Sequence, residues 1–266
     1  MPDCPSIRRA VMALFLLGSR GLYAHDFWIA PSTFLAPTGT LVSVALREGE
    51  HGVGKPVPRM NNRIARFVDA GPTGACDIAG IDGADPAGFI RLAGDGTHIL
   101  VYQSTPNDVM LQPALFEQYL WQEGLQHVIQ TRHAQGQREQ PGREGFRRCA
   151  KSLIRTQAGM DGGFDRVVGL PLEIIPESDP WAIQGRLRFR LLFEGQPITG
   201  VQISALRIED SGKLLSARTD GDGRVELALD KPGRWLIKGV HMIPAPAGDK
   251  IDWESYWASV FFERAE

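Results

Sequence analysis

The sequence predicts a mainly β protein: two β-sandwich domains of immunoglobulin or transthyretin type, with a helical hairpin inserted in or after the first. Three observations carry that expectation. Residues 25–112 contain short runs of alternating pattern broken by Gly, Pro and Asp. Residues 114–155 change to a helical spacing of apolar positions. Residues 186–266 return to strand-length runs separated by turn signals at regular intervals.

The chain opens with a segment that reads as a secretory signal over residues 1–24. Arg8 and Arg9 precede the apolar run Ala10–Gly18, and Ala24 supplies a small residue before the cut. The run is far shorter than the roughly 20 residues needed to span a bilayer. The expectation is an exported, periplasmic protein with no membrane span in its mature chain. The whole sequence carries 29 basic and 31 acidic residues. Loss of Arg8, Arg9, Arg20 and Asp3 with the leader makes the mature chain more acidic still. No basic excess remains to attract nucleic acid or an anionic membrane. Cys4 leaves with the leader. Cys76 and Cys149 stay, and an oxidising compartment would allow them to pair; two separate thiols are the alternative.

The first domain is expected over 25–180. In TLVSVALREGE, Leu41, Ser43 and Ala45 fall on one strand face and Val42, Val44 and Leu46 on the other. GTHILVYQST is a second β-rich run. The helical insertion is expected over 114–155. PALFEQYLWQEGLQHVIQTRHA places Phe116, Tyr119, Leu120, Val128 and Ile129 near one helical face, with Gly124 as a weak point. GREGFRRCAKSLIR reads as a second helix, because Phe146, Cys149, Ala150, Leu153 and Ile154 follow i, i+3, i+4, i+7, i+8. Arg143, Arg147 and Lys151 would form a basic stripe along it, holding an anion or an acidic loop, or facing solvent. LPLEIIPESDPWA then gives a strand and a Pro-rich connection, and a boundary is expected near residue 180. The second domain, 181–266, carries five strand-like runs, with the DGDG of residues 220–223 as a tight turn. That turn lacks the twelve-residue ligand pattern of a calcium loop.

Two stretches resemble known families. FEGQPITGVQISA, together with RTDGDGRVELALDKPGRWLIKGVHM, resembles the carboxypeptidase-regulatory or transthyretin-like sandwich modules, which bears on fold and not on function. AHDFWIAPSTF, LREGE, FRRCAKSL, LPLEIIPESDP and the terminal DWESYWASVFFE resemble an exported bacterial family often labelled NikM-like and linked to nickel or cobalt uptake. That resemblance implies a periplasmic accessory protein whose partner is an envelope metal transporter.

The residues themselves suggest where metal would bind. All six histidines lie in the mature chain, and none forms H-E-x-x-H. A cut after Ala24 would make His25 the first residue, so that its α-amine and Nδ1 could chelate one ion in the way Cu(II) or Ni(II) favours; cobalt is what the NikM-like resemblance adds. His241, which shares a strand face with Trp235, Ile237 and Gly239, is the expected further nitrogen. Asp26 would add a carboxylate or orient an imidazole, and His51 is the next alternative. The plain reading is that HDFWIAP begins a strand and His241 sits in the core. His127 and His133, six apart, read as surface residues. The terminal Trp253, Trp257 and Phe261 read as sandwich core or as a ligand ledge. No G-x-S-x-G elbow or nucleophilic Cys motif is present, so the expectation is a non-enzymatic metal-binding protein. A metal-free module that binds an envelope protein or carbohydrate is the alternative.

Overall fold

The computed structural model describes residues 25–50, 52–156, 162–182, 185–210 and 213–264. The expected signal peptide and His51 lie outside the described residues. In chain order the first strands are β1 (Asp26–Pro31), β2 (Leu41–Glu50), β3 (Val53–Val57), β4 (Ile64–Gly71), β5 (Gly74–Asp77), β6 (Gly88–Arg91), β7 (Thr97–Ser104) and β8 (Asn107–Leu111). Two helices follow, α1 (Pro113–Gln122) and α2 (Gln126–Ala134). Then come β9 (Gly142–Arg155), β10 (Leu172–Pro176), β11 (Arg186–Phe193), β12 (Gln196–Pro197) and β13 (Gln202–Arg207). The chain ends with β14 (Leu214–Arg218), β15 (Arg224–Ala228), β16 (Gly233–Pro244) and β17 (Trp253–Arg264). No helix among the described residues is long and apolar enough to cross a membrane.

A nine-stranded sheet runs through the middle in the order β14-β13-β16-β17-β9-β7-β4-β5, with β8 also paired to β9. Its β17–β9 ladder is parallel, joining Trp253–Phe261 to Glu144–Ser152. Each face of this sheet is covered. On one face, Phe27, Ile29, Val42, Val44 and Leu46 from the β1-β2-β3-β6 sheet pack on Phe67, Leu100, Tyr102 and Ile154. The helices extend that cover, burying Phe116, Tyr119, Leu120 and Val128 on Val240, Met242, Trp253 and Trp257. On the other face, Leu172, Ile174, Leu187, Phe189 and Leu191 of the β10-β11-β12-β15 sheet meet Val101, Cys149, Ile237, Val260 and Phe262. Each such side chain contributes about 1.5–3 kcal/mol when fully buried. The result is three layers with the central strands covered on both sides.

This layering corrects the second expected helix. Residues 142–155 form β9, a fourteen-residue strand. Phe146, Ala150 and Ile154 are even-numbered and Cys149 and Leu153 odd-numbered, so a strand presents them to opposite faces. Because β9 is covered on both faces, apolar residues occur at both parities, and a spacing of four satisfies a strand as well as a helix. The basic stripe is carried by this strand instead of a helix, and it faces acidic groups rather than solvent. Arg143, Arg147 and Lys151 share one face of β9, and each meets an acid: Asp252, Glu254 at 3.4 Å and Glu173 at 3.0 Å. The first helical run does fold as helix, and it breaks at Gly124, whose φ is +70°. A Cβ there would also meet the Gln202 side chain at 2.7 Å.

The expected boundary near residue 180 falls between β10 and β11, which are paired neighbours. The strands of residues 186–264 divide between two sheets: β13, β14, β16 and β17 belong to the central sheet and β11, β12 and β15 to the covering one. The DGDG turn forms as expected, with Asp220 Oδ1 accepting the N–H groups of Asp222 and Arg224 at 2.9 and 2.8 Å. Cys76 is exposed on β5 and Cys149 buried on β9, and neither forms a disulfide. Trp253, Trp257 and Phe261 are buried, so the aromatic run is core.

The helices sit close on β9. A Cβ at Gly142 would lie 2.3 Å from the ring of Phe116, which is fully buried with Arg132 stacked 4.8 Å from its centroid. Gly142→Ala should therefore cost about 1–3 kcal/mol by overpacking. A denaturant midpoint unchanged from wild type would show that Phe116 can yield.

Candidate functional site

The site begins where β1 begins. β1 pairs with β2 in the register Asp26↔Gly49, which sets His25 opposite Glu50 at the end of the ladder. His25 Nδ1 lies 3.5 Å from Glu50 Oε1, with 33% and 49% of the two side chains exposed. The carbonyl of His25 accepts a hydrogen bond from Arg148 at 2.6 Å. The backbone of His25 is thus held against the central sheet, while about a third of its side chain remains exposed.

Asp26 turns inward. Lys238 reaches it from β16, Nζ to Oδ1 at 2.6 Å, and also reaches Glu123 at the end of α1 at 2.9 Å. Burial alone would lower the Lys238 ammonium, but the Glu123 and Asp26 carboxylates outweigh it and hold the group above its ordinary range. Burial pushes the Glu123 carboxyl up, against the pull of Lys238. One cation thus serves two carboxylates. Asp26, Glu50, Gln122, Glu123 and Lys238, with Leu206 and Leu214, line a cleft of about 150 Å³.

Beneath this cleft the polar groups continue under the helices. The Arg148 guanidinium lies 4.9 Å from the Trp257 ring centroid and 5.1 Å from that of Phe146, distances at which a cation is attracted to the ring face. Burial lowers its pKa, while Asp26, Glu48 and Glu144 pull it back up. Glu144 is buried and its carboxyl is raised by that burial. It accepts hydrogen bonds from Tyr119 at 3.0 Å and from Ser255. Trp257 donates to Ser255 at 3.0 Å and stacks on Tyr119, 5.5 Å between centroids. Clusters of shifted titratable groups mark functional sites more often than other surfaces.

The expected site residues separate. His25 and Asp26 stand at this cleft. His241 does not join them: Lys238 and His241 are three apart on β16 and so point to opposite faces of the central sheet. His241 instead packs edge-on against Phe193, 4.7 Å between centroids, and lies 6.4 Å from His127. His127, read as a surface residue, bonds the Met242 carbonyl at 2.9 Å. Among the described residues no three His, Cys, Asp or Glu side chains are grouped to hold an ion. Lys238, Glu123, Arg148 and Glu144 are the groups that sequence reading missed. Lys238 carried a signal, as the one charged residue in an otherwise apolar strand, Trp235–Pro244, where burial demands partners.

Among proteins with curated descriptions, none matches this chain. Of solved structures, the D0–D1 domain of intimin is similar at 10% identity, over 89% of this chain and 97% of that one, with a TM-score of 0.21. A tetra-tandem repeat in the extending region of a large adhesion protein is similar at 11% identity, over 91% of this chain and 50% of that one, with a TM-score of 0.22. A family of proteins matches over residues 22–243. The chain belongs to that family, the one described as a domain of unknown function, DUF4198.

Proposed function

We propose that the mature chain is a periplasmic, non-enzymatic accessory protein of metal uptake or homeostasis. It binds Ni, Co or Cu through an N-terminal His25 and passes the ion to an envelope transporter. The observation that carries this reading is the 3.5 Å approach of His25 Nδ1 to Glu50 Oε1 beside an acid-lined cleft. Two donors at that separation are within reach of one ion at about 2 Å from each. Cleavage after Ala24 adds the α-amine of the same residue, which closes a chelate ring with Nδ1. In this reading Glu50 takes the place expected for His241. Asp26 is occupied by Lys238 and positions the start of β1 rather than ligating. The resemblance to the NikM-like proteins agrees with an exported carrier.

Titration of the processed protein with Ni(II), Co(II) and Cu(II) tests the assignment. His25→Ala should abolish tight binding, and Glu50→Gln should weaken it by about tenfold. The α-amine titrates near 8 when unperturbed. It must lose its proton to ligate, so affinity should fall as pH drops below about 8. Binding unchanged in both variants would sink the site and favour a metal-free envelope interaction module.

A further inference from the structure

Two imidazoles meet where α2 lies against β16. His127 donates its Nε2–H to the carbonyl of Met242 at 2.9 Å. That bond sets the tautomer of the neutral ring and leaves the lone pair on Nδ1. Metal-ligating histidines commonly anchor their second nitrogen in this way. His241 precedes Met242 in the chain, and its ring lies 6.4 Å from that of His127, centroid to centroid, with the planes 25° apart. The Nδ1 atom of His241 is shielded from solvent and meets no hydrogen-bond partner among the described residues. A buried polar nitrogen left in that state is unfavourable.

The surroundings hold both rings in place. Phe193 packs edge-on against His241 at 4.7 Å, and Tyr256 packs on Phe193 at 5.0 Å. A shallow depression lined by Gly124, Gln126, His127, Gly200 and Arg218 opens beside His127. Arg218 is committed there to Gln126 and to the carbonyls of Gly124 and Gly200.

We infer that His127 and His241 form a two-imidazole site for a metal ion of low coordination number, and that the ion is Cu(I). A ring nitrogen lies about 1.2 Å from its centroid and a metal about 2 Å beyond it, so two imidazoles across a linear ion stand roughly 6.4 Å apart. A bent arrangement would bring the rings closer. No third His, Cys, Asp or Glu side chain joins the pair among the described residues. Two protein ligands suit Cu(I), whereas structural zinc takes four. His241 faces the side of β16 opposite Lys238, and neither imidazole lines the cleft at Asp26, so the pair is independent of the His25 reading.

The test uses the full mature protein and its His25→Ala variant, titrated anaerobically with Cu(I) against a competing chelator. Ag(I) serves as a stand-in that does not change oxidation state. His25→Ala should retain one Cu(I), and His127→Gln and His241→Gln should each weaken it by more than about tenfold. His127→Gln also removes the bond to Met242, so ring nitrogen shifts of the unmutated histidines provide a second readout: both Nδ1 signals should move when Ag(I) is added. Unchanged affinity in His241→Gln, or unmoved Nδ1 signals, would overturn the proposal. So would loss of all Cu(I) binding in His25→Ala, which would assign the ion to the N-terminus.

Discussion

Lys238→Met should destabilise the protein by about 3–5 kcal/mol, because it leaves two largely buried carboxylates without their cation. Lys238 is 13% exposed and lies within 2.6 Å of Asp26 and 2.9 Å of Glu123. Methionine fills much the same volume, so the loss is electrostatic rather than a cavity. The sign of the pH dependence follows. Without the ammonium, burial would hold the Glu123 carboxyl further above its ordinary range, and the folded variant would bind more protons than its unfolded chain. Its deficit should shrink as pH falls from 7 towards 5. Adding Asp26→Asn and Glu123→Gln should recover most of the stability at pH 7. Denaturant midpoints at the two pH values measure all three, and a deficit under about 1 kcal/mol for Lys238→Met would mean that water screens the site.

Glu173→Ala should be comparably damaging, again by about 3–5 kcal/mol. Glu173 and Lys151 are each 1% exposed and 3.0 Å apart. The same carboxylate accepts the backbone N–H groups of Val168, Gly169 and Leu170 at 2.8, 2.9 and 3.1 Å. Its removal leaves an uncompensated ammonium and three unsatisfied donors between the central sheet and its β10–β11 cover. Lys151→Met should cost less, since Glu173 keeps its three N–H donors. The double variant should cost less than the sum of the singles, because the partners share one interaction. Additive losses would mean that the pair is not coupled.

The strands were legible where turn signals bound a run rich in β-branched and aromatic residues. Val42, Val44 and Leu46 were read onto one face of a strand, and in β2 each is buried. GRWLIKGVHMI and YWASVFFER read as strands and form β16 and β17. β9 was not legible, because burial on both faces removes the alternation that distinguishes strand from helix. Its charged residues, Arg143, Arg147 and Lys151, looked like a solvated face of a helix, although each meets an acid: Asp252 and Glu254 beside β9, and Glu173 across the layer. The site was half legible for a related reason. His25 stood out through its position in the chain, whereas Glu50, Glu123 and Lys238 reach the cleft from elements as far as 213 positions downstream. The His25–His241 pairing rested on strand parity alone. Parity set His241 beside Trp235 and Ile237 as expected, and that same parity turns it away from Asp26.

The most direct test of the proposed function is a comparison of metal affinity between two purified forms, one beginning at His25 and one that keeps Ala24 ahead of it. The second form carries one extra alanine, which moves the free amine from His25 to Ala24. The form beginning at His25 should bind Ni(II) or Cu(II) by at least about a hundredfold more tightly, a difference of about 2.7 kcal/mol. Equal affinities would contradict the account, because the amine of His25 would then play no part in holding the ion.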